Sequence, residues 1–224
     1  MKKFENELAN LQNRLSEMAD LARSMVVRAS AAVKDRTDRG CAEIAALETR
    51  LNQMQTDIDH DAIRMLTVYG PVATDLRYLL VATHVTAQLE RIGDQVVNIC
   101  QALEMMTSDP AMHPMRPTVR RMADLVCQMV DDSLDAFFSR NEDKAVEMRR
   151  RDDVIDALND EVLKELLTPE VFREVLADAS DIADVVAQIL VARSLERIAD
   201  QAKNICKQVI YLIKGHDVRH IRPD

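Results

Sequence analysis

The 224-residue sequence is poor in the residues that interrupt regular structure: 4 Gly, 6 Pro, 3% aromatics and no Trp. So few glycines leave little material for active-site loops, and neither a phosphate-cradling glycine-rich loop nor a nucleophile elbow is present. No stretch is apolar for long enough to span a bilayer, and charges interrupt the opening MKKFENEL, so no signal-peptide core is expected there. The expected location is therefore the cytoplasm. Arginine-rich blocks and basic patches interleaved with aromatics are missing, and the formal net charge is -9, which disfavours direct nucleic-acid binding. The four cysteines, Cys41, Cys100, Cys127 and Cys206, lack the Cys-x-x-Cys spacing of zinc and redox sites and read as small core thiols.

What is abundant points one way. Hydrophobic residues make up 47% of the chain and charged residues 30%, a balance typical of an all-α protein. Apolar residues recur at helical spacing almost throughout, and the few breaks predict six helices. The first spans about 4–35. Thr37 is the expected N-cap of the second, which runs to Tyr69 with Leu47, Leu51, Met54, Ile58 and Met65 on one face and stops at Gly70-Pro71. The third covers about 72–106, and TSDPAMHPMRP at 107–117 is the clearest linker, since its three prolines stop any helix. Helix four is expected over 118–140, Asn141 as the cap of helix five, and helix five as one piece to Leu167, where Thr168-Pro169 marks a stop. Helix six is expected over 182–214. Three long helices with short connections imply an antiparallel three-helix bundle, and two in tandem imply a pseudo-symmetric pair, with domains at 1–108 and 109–224.

The second half also repeats residues of the first. LERIGDQVVNIC at Leu89–Cys100 returns as LERIADQAKNIC at Leu195–Cys206, with nine of twelve positions identical at an interval of 106. Leu89, Ile92, Val96, Ile99 and Leu103 form one apolar stripe, and Leu195, Ile198, Ala202, Ile205, Val209 and Leu212 its counterpart. Away from these stripes stand Glu90 with Asp94, and Glu196 with Asp200, each pair four apart on one face. Such pairs repel, at a cost of about 0.2–0.5 kcal/mol each in an isolated helix. The preceding helices add Glu48, Asn52, Gln55 and Asp59 in the first half, and Asp152, Asp156 and Asp160 in the second. Oxygen ladders facing one another across a groove would suit a divalent or trivalent cation such as Mg, Mn, Fe or Zn. The competing reading is a solvated acidic face, with Arg91, Arg150, Arg151 and Arg197 near enough to neutralise several carboxylates.

LERIGD and LERIAD with their trailing NIC, PVATDLR at Pro71–Arg77 and YLIKGHDVRH at Tyr211–His220 resemble the PhoU family of phosphate-signalling regulators. The resemblance covers nearly the whole chain. It implies tandem three-helix bundles and E(D)xxxD motifs that hold surface metal clusters, which fall here on Glu90 with Asp94, Glu196 with Asp200, Asp152 with Asp156, and Glu48 with Asn52. It further implies a negative regulator of the phosphate regulon that couples the phosphate ABC transporter at the inner membrane to a sensor histidine kinase and restrains phosphate uptake, commonly as a homodimer. Two departures stand out. Asn52 occupies the place of a motif acid, and the Asp75-Leu76-Arg77 segment aligns with Asp181-Ile182-Ala183 in the second half and so is not repeated. That segment reads as a packing element at a helix start.

Catalysis is not expected. A di-iron oxidase needs Glu-x-x-His on two helices, whereas the nearest match here is Asp57-x-x-His60, with Lys164 at the partner position. His84, His113, His216 and His220 are scattered and read as surface or linker residues. The alternative to a metal-bearing regulator is a structural helical adaptor that docks partners through its faces without functional metal.

Overall fold

The computed structural model describes residues 2–37, 41–106, 114–149, 151–168, 171 and 179–215, and every described element is a helix. In chain order these are α1 (Lys2–Asp35), α2 (Cys41–Tyr69), α3 (Ala73–Glu104), α4 (Pro117–Ser139), α5 (Glu142–Arg149), α6 (Asp152–Leu166) and α7 (Ala179–Lys214). Helices α1–α3 form one antiparallel three-helix bundle; α4, the α5–α6 pair and α7 form the second. The bundles join through α3 against α7 and α1 against α4, which leaves α2 on one flank and α5–α6 on the opposite flank. Among the described residues, the buried apolar side chains of both halves form one continuous core, so neither bundle closes its core alone. The expected boundary between residues 108 and 109 lies outside the described residues.

Helix ends follow the repeat. Arg36 adopts a left-handed φ of 49°, and the Thr37 N–H donates to the Ala32 carbonyl at 3.0 Å. Arg140 has a φ of 51°, and the Asn141 N–H donates to the Ala136 carbonyl at 2.9 Å. Both are Schellman closures that satisfy carbonyls at a helix C-terminus. Thr37 therefore closes α1; its expected role as N-cap of the second helix turns on residues 38–40, which lie outside the described residues. Asn141 serves both ends, because its Oδ1 also accepts the Lys144 N–H at 3.0 Å and caps α5. Gly70, at φ 53°, ends α2 as its sequence suggests.

Helix five is two helices. The Arg151 N–H bonds to the Met148 carbonyl (3.0 Å) and the Val154 N–H to the Arg151 carbonyl (3.1 Å), a tight i→i−3 turn between α5 and α6. Five consecutive charged residues, 149–153, offer no apolar side chain to hold the helix straight there. Arg151 instead anchors to Asp132 of α4 at 2.7 Å.

The two apolar stripes of the repeat are buried in full, and Cys41, Cys100 and Cys206 lie among them as free thiols, with Cys127 half-buried. One difference between the copies has a steric cause. A Cβ on Gly93 would stand 2.5 Å from Leu51 Cδ2, and Leu51 is fully buried, so α2 and α3 approach more closely than an alanine would permit. The unrepeated Arg77 also acquires a role. Its Nη1 donates to the Leu212 carbonyl at 3.1 Å and its guanidinium packs over Gly215, which closes the C-terminal end of α7. The remainder of the tail motif, His216–His220, lies outside the described residues.

Candidate functional site

The repeated carboxylates fall in two outer grooves, one on each flank of the molecule. Between α2 and α3, Glu48 raises the pKa of both Glu90 and Asp94 by its charge, on top of the larger effect of partial burial; Asp94 pushes Glu90 further up and Arg91 opposes it. Asn52 Nδ2 donates to Glu48 Oε1, while Asn52 Oδ1 is buried without a hydrogen-bond partner. An unsatisfied buried amide oxygen normally costs about 1–3 kcal/mol, and here no donor meets it although the amide nitrogen is held by Glu48. Further along the face, Asp59 accepts a hydrogen bond from Thr86 Oγ1 at 3.2 Å, and burial raises its pKa. That bond engages Asp59 within the helix packing.

The groove between α6 and α7 repeats the arrangement with more acid. Partial burial raises Asp156, and the charges of Asp200, Asp153 and Asp160 raise it further. Glu196 is pushed up by burial, then by Asp200 and Asp156, against Arg193 and Arg197. Asp200 is raised by burial and relieved by Lys207. The side chain of Asp152, the fourth expected ligand of this face, lies outside the described residues. Lysine is the feature of this groove that the sequence reading passed over: Lys203 Nζ stands 3.9 Å from Asp200 Oδ1, whereas the equivalent first-half positions are Val97 and Gln101. Lysines three and seven residues beyond Asp200 were the available signal.

Among the described residues, no group of three or more His, Cys, Asp or Glu side chains is drawn together tightly enough to ligate one ion. The donor set nevertheless suits a hard or borderline cation. It is oxygen-only, its members raise one another's pKa, and in the first groove a buried carbonyl oxygen lacks a donor. Asp57 is not available for di-iron chemistry, because Arg14 (3.1 Å) and Gln53 (2.8 Å) hold its carboxylate. His60 and His84 are exposed, the latter 3.3 Å from Gln208 Oε1, while His113, His216 and His220 lie outside the described residues. No described helix is long and apolar enough to cross a membrane.

The described residues thus define an all-helical protein of two tandem bundles with an acidic face on each flank. The family model described as "PhoU domain" matches residues 15–103 and again 119–209. The chain belongs to the PhoU family. It is 32% identical to the phosphate-specific transport system accessory protein PhoU homolog of Clostridium acetobutylicum, over 96% of each chain. To the homolog of the same name from Pseudomonas putida it is 34% identical, over 97% of this chain and 83% of that one. The crystal structure of PhoU from Pseudomonas aeruginosa superposes with a TM-score of 0.83 at 29% identity, covering 95% of this chain and all of that one. The phosphate transport system regulatory protein PhoU from Streptococcus pneumoniae gives 0.84 at 25% identity, over 96% of this chain and 99% of that one.

Proposed function

We propose that this chain is an accessory regulator of phosphate uptake and phosphate-starvation signalling. In this reading it docks a phosphate ABC transporter on the cytoplasmic side of the inner membrane and a sensor histidine kinase of the phosphate regulon, and it acts as a negative regulator. It works through its faces as a homodimer and performs no catalysis. Relatives named as phosphate-specific transport system accessory proteins support the transporter as partner. The observation that carries the metal-dependent part is the pair of mutually repelling carboxylate grooves at equivalent places in the two halves. Glu48, Glu90 and Asp94 would hold ions on one flank, and Asp152, Asp156, Glu196 and Asp200 on the other. A bound Fe, Zn, Mn or Mg cation would supply charge neutralisation and open coordination positions for an anionic or carboxylate-bearing partner. Occupancy would then turn a repelling face into a docking face.

The test is a phosphate-starvation reporter in a strain lacking its own copy of the gene. The parent chain should silence the reporter in high phosphate, whereas the variant with Glu90, Asp94, Glu196 and Asp200 changed to Ala should leave it on. Silencing by the variant would exclude a role for the grooves in signalling. It would favour the second reading, a structural adaptor without functional metal, which also rests on an observation: the described carboxylates are not gathered around a common point.

A further inference from the structure

The two third helices of the bundles, α3 and α7, run antiparallel along the seam, so each residue of one has a counterpart 106 positions away on the other side of the pseudo-twofold. On one side of the seam polar side chains meet across the groove. His84 meets Gln208 at 3.3 Å, and Lys207 Nζ donates to Asn204 Oδ1 at 3.0 Å. The other side replaces these side chains: Leu190 stands for His84, and Ala102 stands for Gln208. The truncation at Ala102 leaves a cavity of about 350 Å³, at the lower end of the range for small-molecule pockets.

The open side has also gained charge. Arg193 lines the cavity where the counterpart is Ala87, and Arg197 joins it one helical turn on. Among the described residues neither guanidinium makes a hydrogen bond or an ion pair; both act on Glu196 only through their charge. Two arginines four apart on one helix repel as two carboxylates do. Asn98, Gln101 and Ser194 add uncharged donors to the same wall, and Met105 and Leu190 give the other end an apolar lining. Paired guanidiniums present planar forks that match a phosphate's oxygens, and the bonds they form are charge-assisted. With a chain net charge of -9, no diffuse field would draw an anion here, so recognition has to be local.

We infer that the α3–α7 groove is a binding site for a small phosphate monoester, with Arg193 and Arg197 on the phosphate group and the Met105–Leu190 end against its organic part. The site borders the α6–α7 carboxylate groove, whose Glu196 feels both guanidiniums, but none of the residues assigned to the phosphate is one of the carboxylates, and the inference does not require metal there.

Titration calorimetry of the full chain with phenyl phosphate and, separately, inorganic phosphate tests it. Phenyl phosphate should bind saturably and at least about tenfold more tightly than inorganic phosphate, because only the ester uses both ends of the groove. The double variant Arg193→Gln/Arg197→Gln should lose at least about tenfold in affinity for the ester. Arg120→Gln, on α4, should bind as the parent does. A second variant, Ala102→Gln, copies the side that carries Gln208 and should also block the ester. Circular dichroism on each variant checks that helicity is kept. No saturable binding by the parent, or binding retained by the double arginine variant, would overturn the assignment. Equal affinity for the two probes would overturn the monoester class.

Discussion

Arg36 and Asp184 form a buried ion pair, in which the last turn of α1 in the first bundle meets α7 in the second. The same guanidinium donates Nε–H to Met106 Sδ at 3.4 Å. At the pseudo-equivalent place Arg140 lies over the Tyr78 ring, 5.7 Å from its centroid. One seam position is thus closed by a buried charge pair and its twin by a cation–π contact. The two should respond very differently to truncation. Asp184→Ala removes one buried charged partner of the Arg36 guanidinium and should cost about 1.5–3 kcal/mol, whereas Arg140→Ala should cost about 0.5–1 kcal/mol. Urea unfolding midpoints of the two variants check this, and similar losses would contradict it.

The glycine of the first repeat makes a second prediction. Gly93→Ala forces Leu51 out of its packed position and should destabilise by about 1–3 kcal/mol. The mirror change, Ala199→Gly, has no such clash to relieve and should cost about 0.5–1 kcal/mol through backbone entropy and lost helix propensity. Thermal denaturation of both variants distinguishes steric demand from repeat drift.

Arg77 closes the end of α7 from the other half of the molecule. Arg77→Ala should cost about 0.5–1.5 kcal/mol for the lost hydrogen bond to Leu212. The loss should be local. Amide hydrogen exchange should quicken in the last turn of α7 and stay unchanged in the last turn of α4.

The carboxylate grooves set a pH dependence of unusual sign. Glu90, Asp94, Asp156, Glu196 and Asp200 all have pKa values raised in the folded state by burial, with neighbouring acids adding to the shift in most. The folded protein therefore binds protons more readily than the unfolded chain, so these groups favour folding when protonated. That contribution is complete below the ordinary carboxylate range and is lost as pH rises through the raised values. Metal-free protein should thus gain thermal stability relative to its Glu90→Gln/Asp94→Asn/Glu196→Gln/Asp200→Asn variant as pH falls through this window. Parallel melting curves for the two proteins would contradict the repulsion.

The architecture was legible because its signals are local and repeated. Gly70-Pro71, the apolar stripes of LERIGD and LERIAD and the cap at Asn141 each depend on a few neighbouring residues, and each is found where the sequence puts it. The closure of α1 at Thr37 was not legible, because it depends on the left-handed backbone at Arg36. The break at 149–153 hides behind charges that would suit an exposed helix equally well. Contacts across the seam are the least readable. Arg36 and Asp184 are 148 positions apart, and nothing in the periodicity of α1 or α7 pairs them. The candidate site lies between these cases. Spacing places Glu90 with Asp94 and Glu196 with Asp200 on their faces, but the orphaned oxygen of Asn52 emerges only once α2 is packed on α3.

Whether the twin grooves hold metal is the claim on which the functional reading turns, and elemental analysis by plasma mass spectrometry answers it most directly. Untagged protein purified without chelator should carry stoichiometric metal, and the variant with Glu90, Asp94, Glu196 and Asp200 changed to Ala should carry none while keeping its helicity. Metal missing from the parent, or retained in full by the variant, would contradict the account and leave the repeated carboxylates as a feature of packing and partner contact alone.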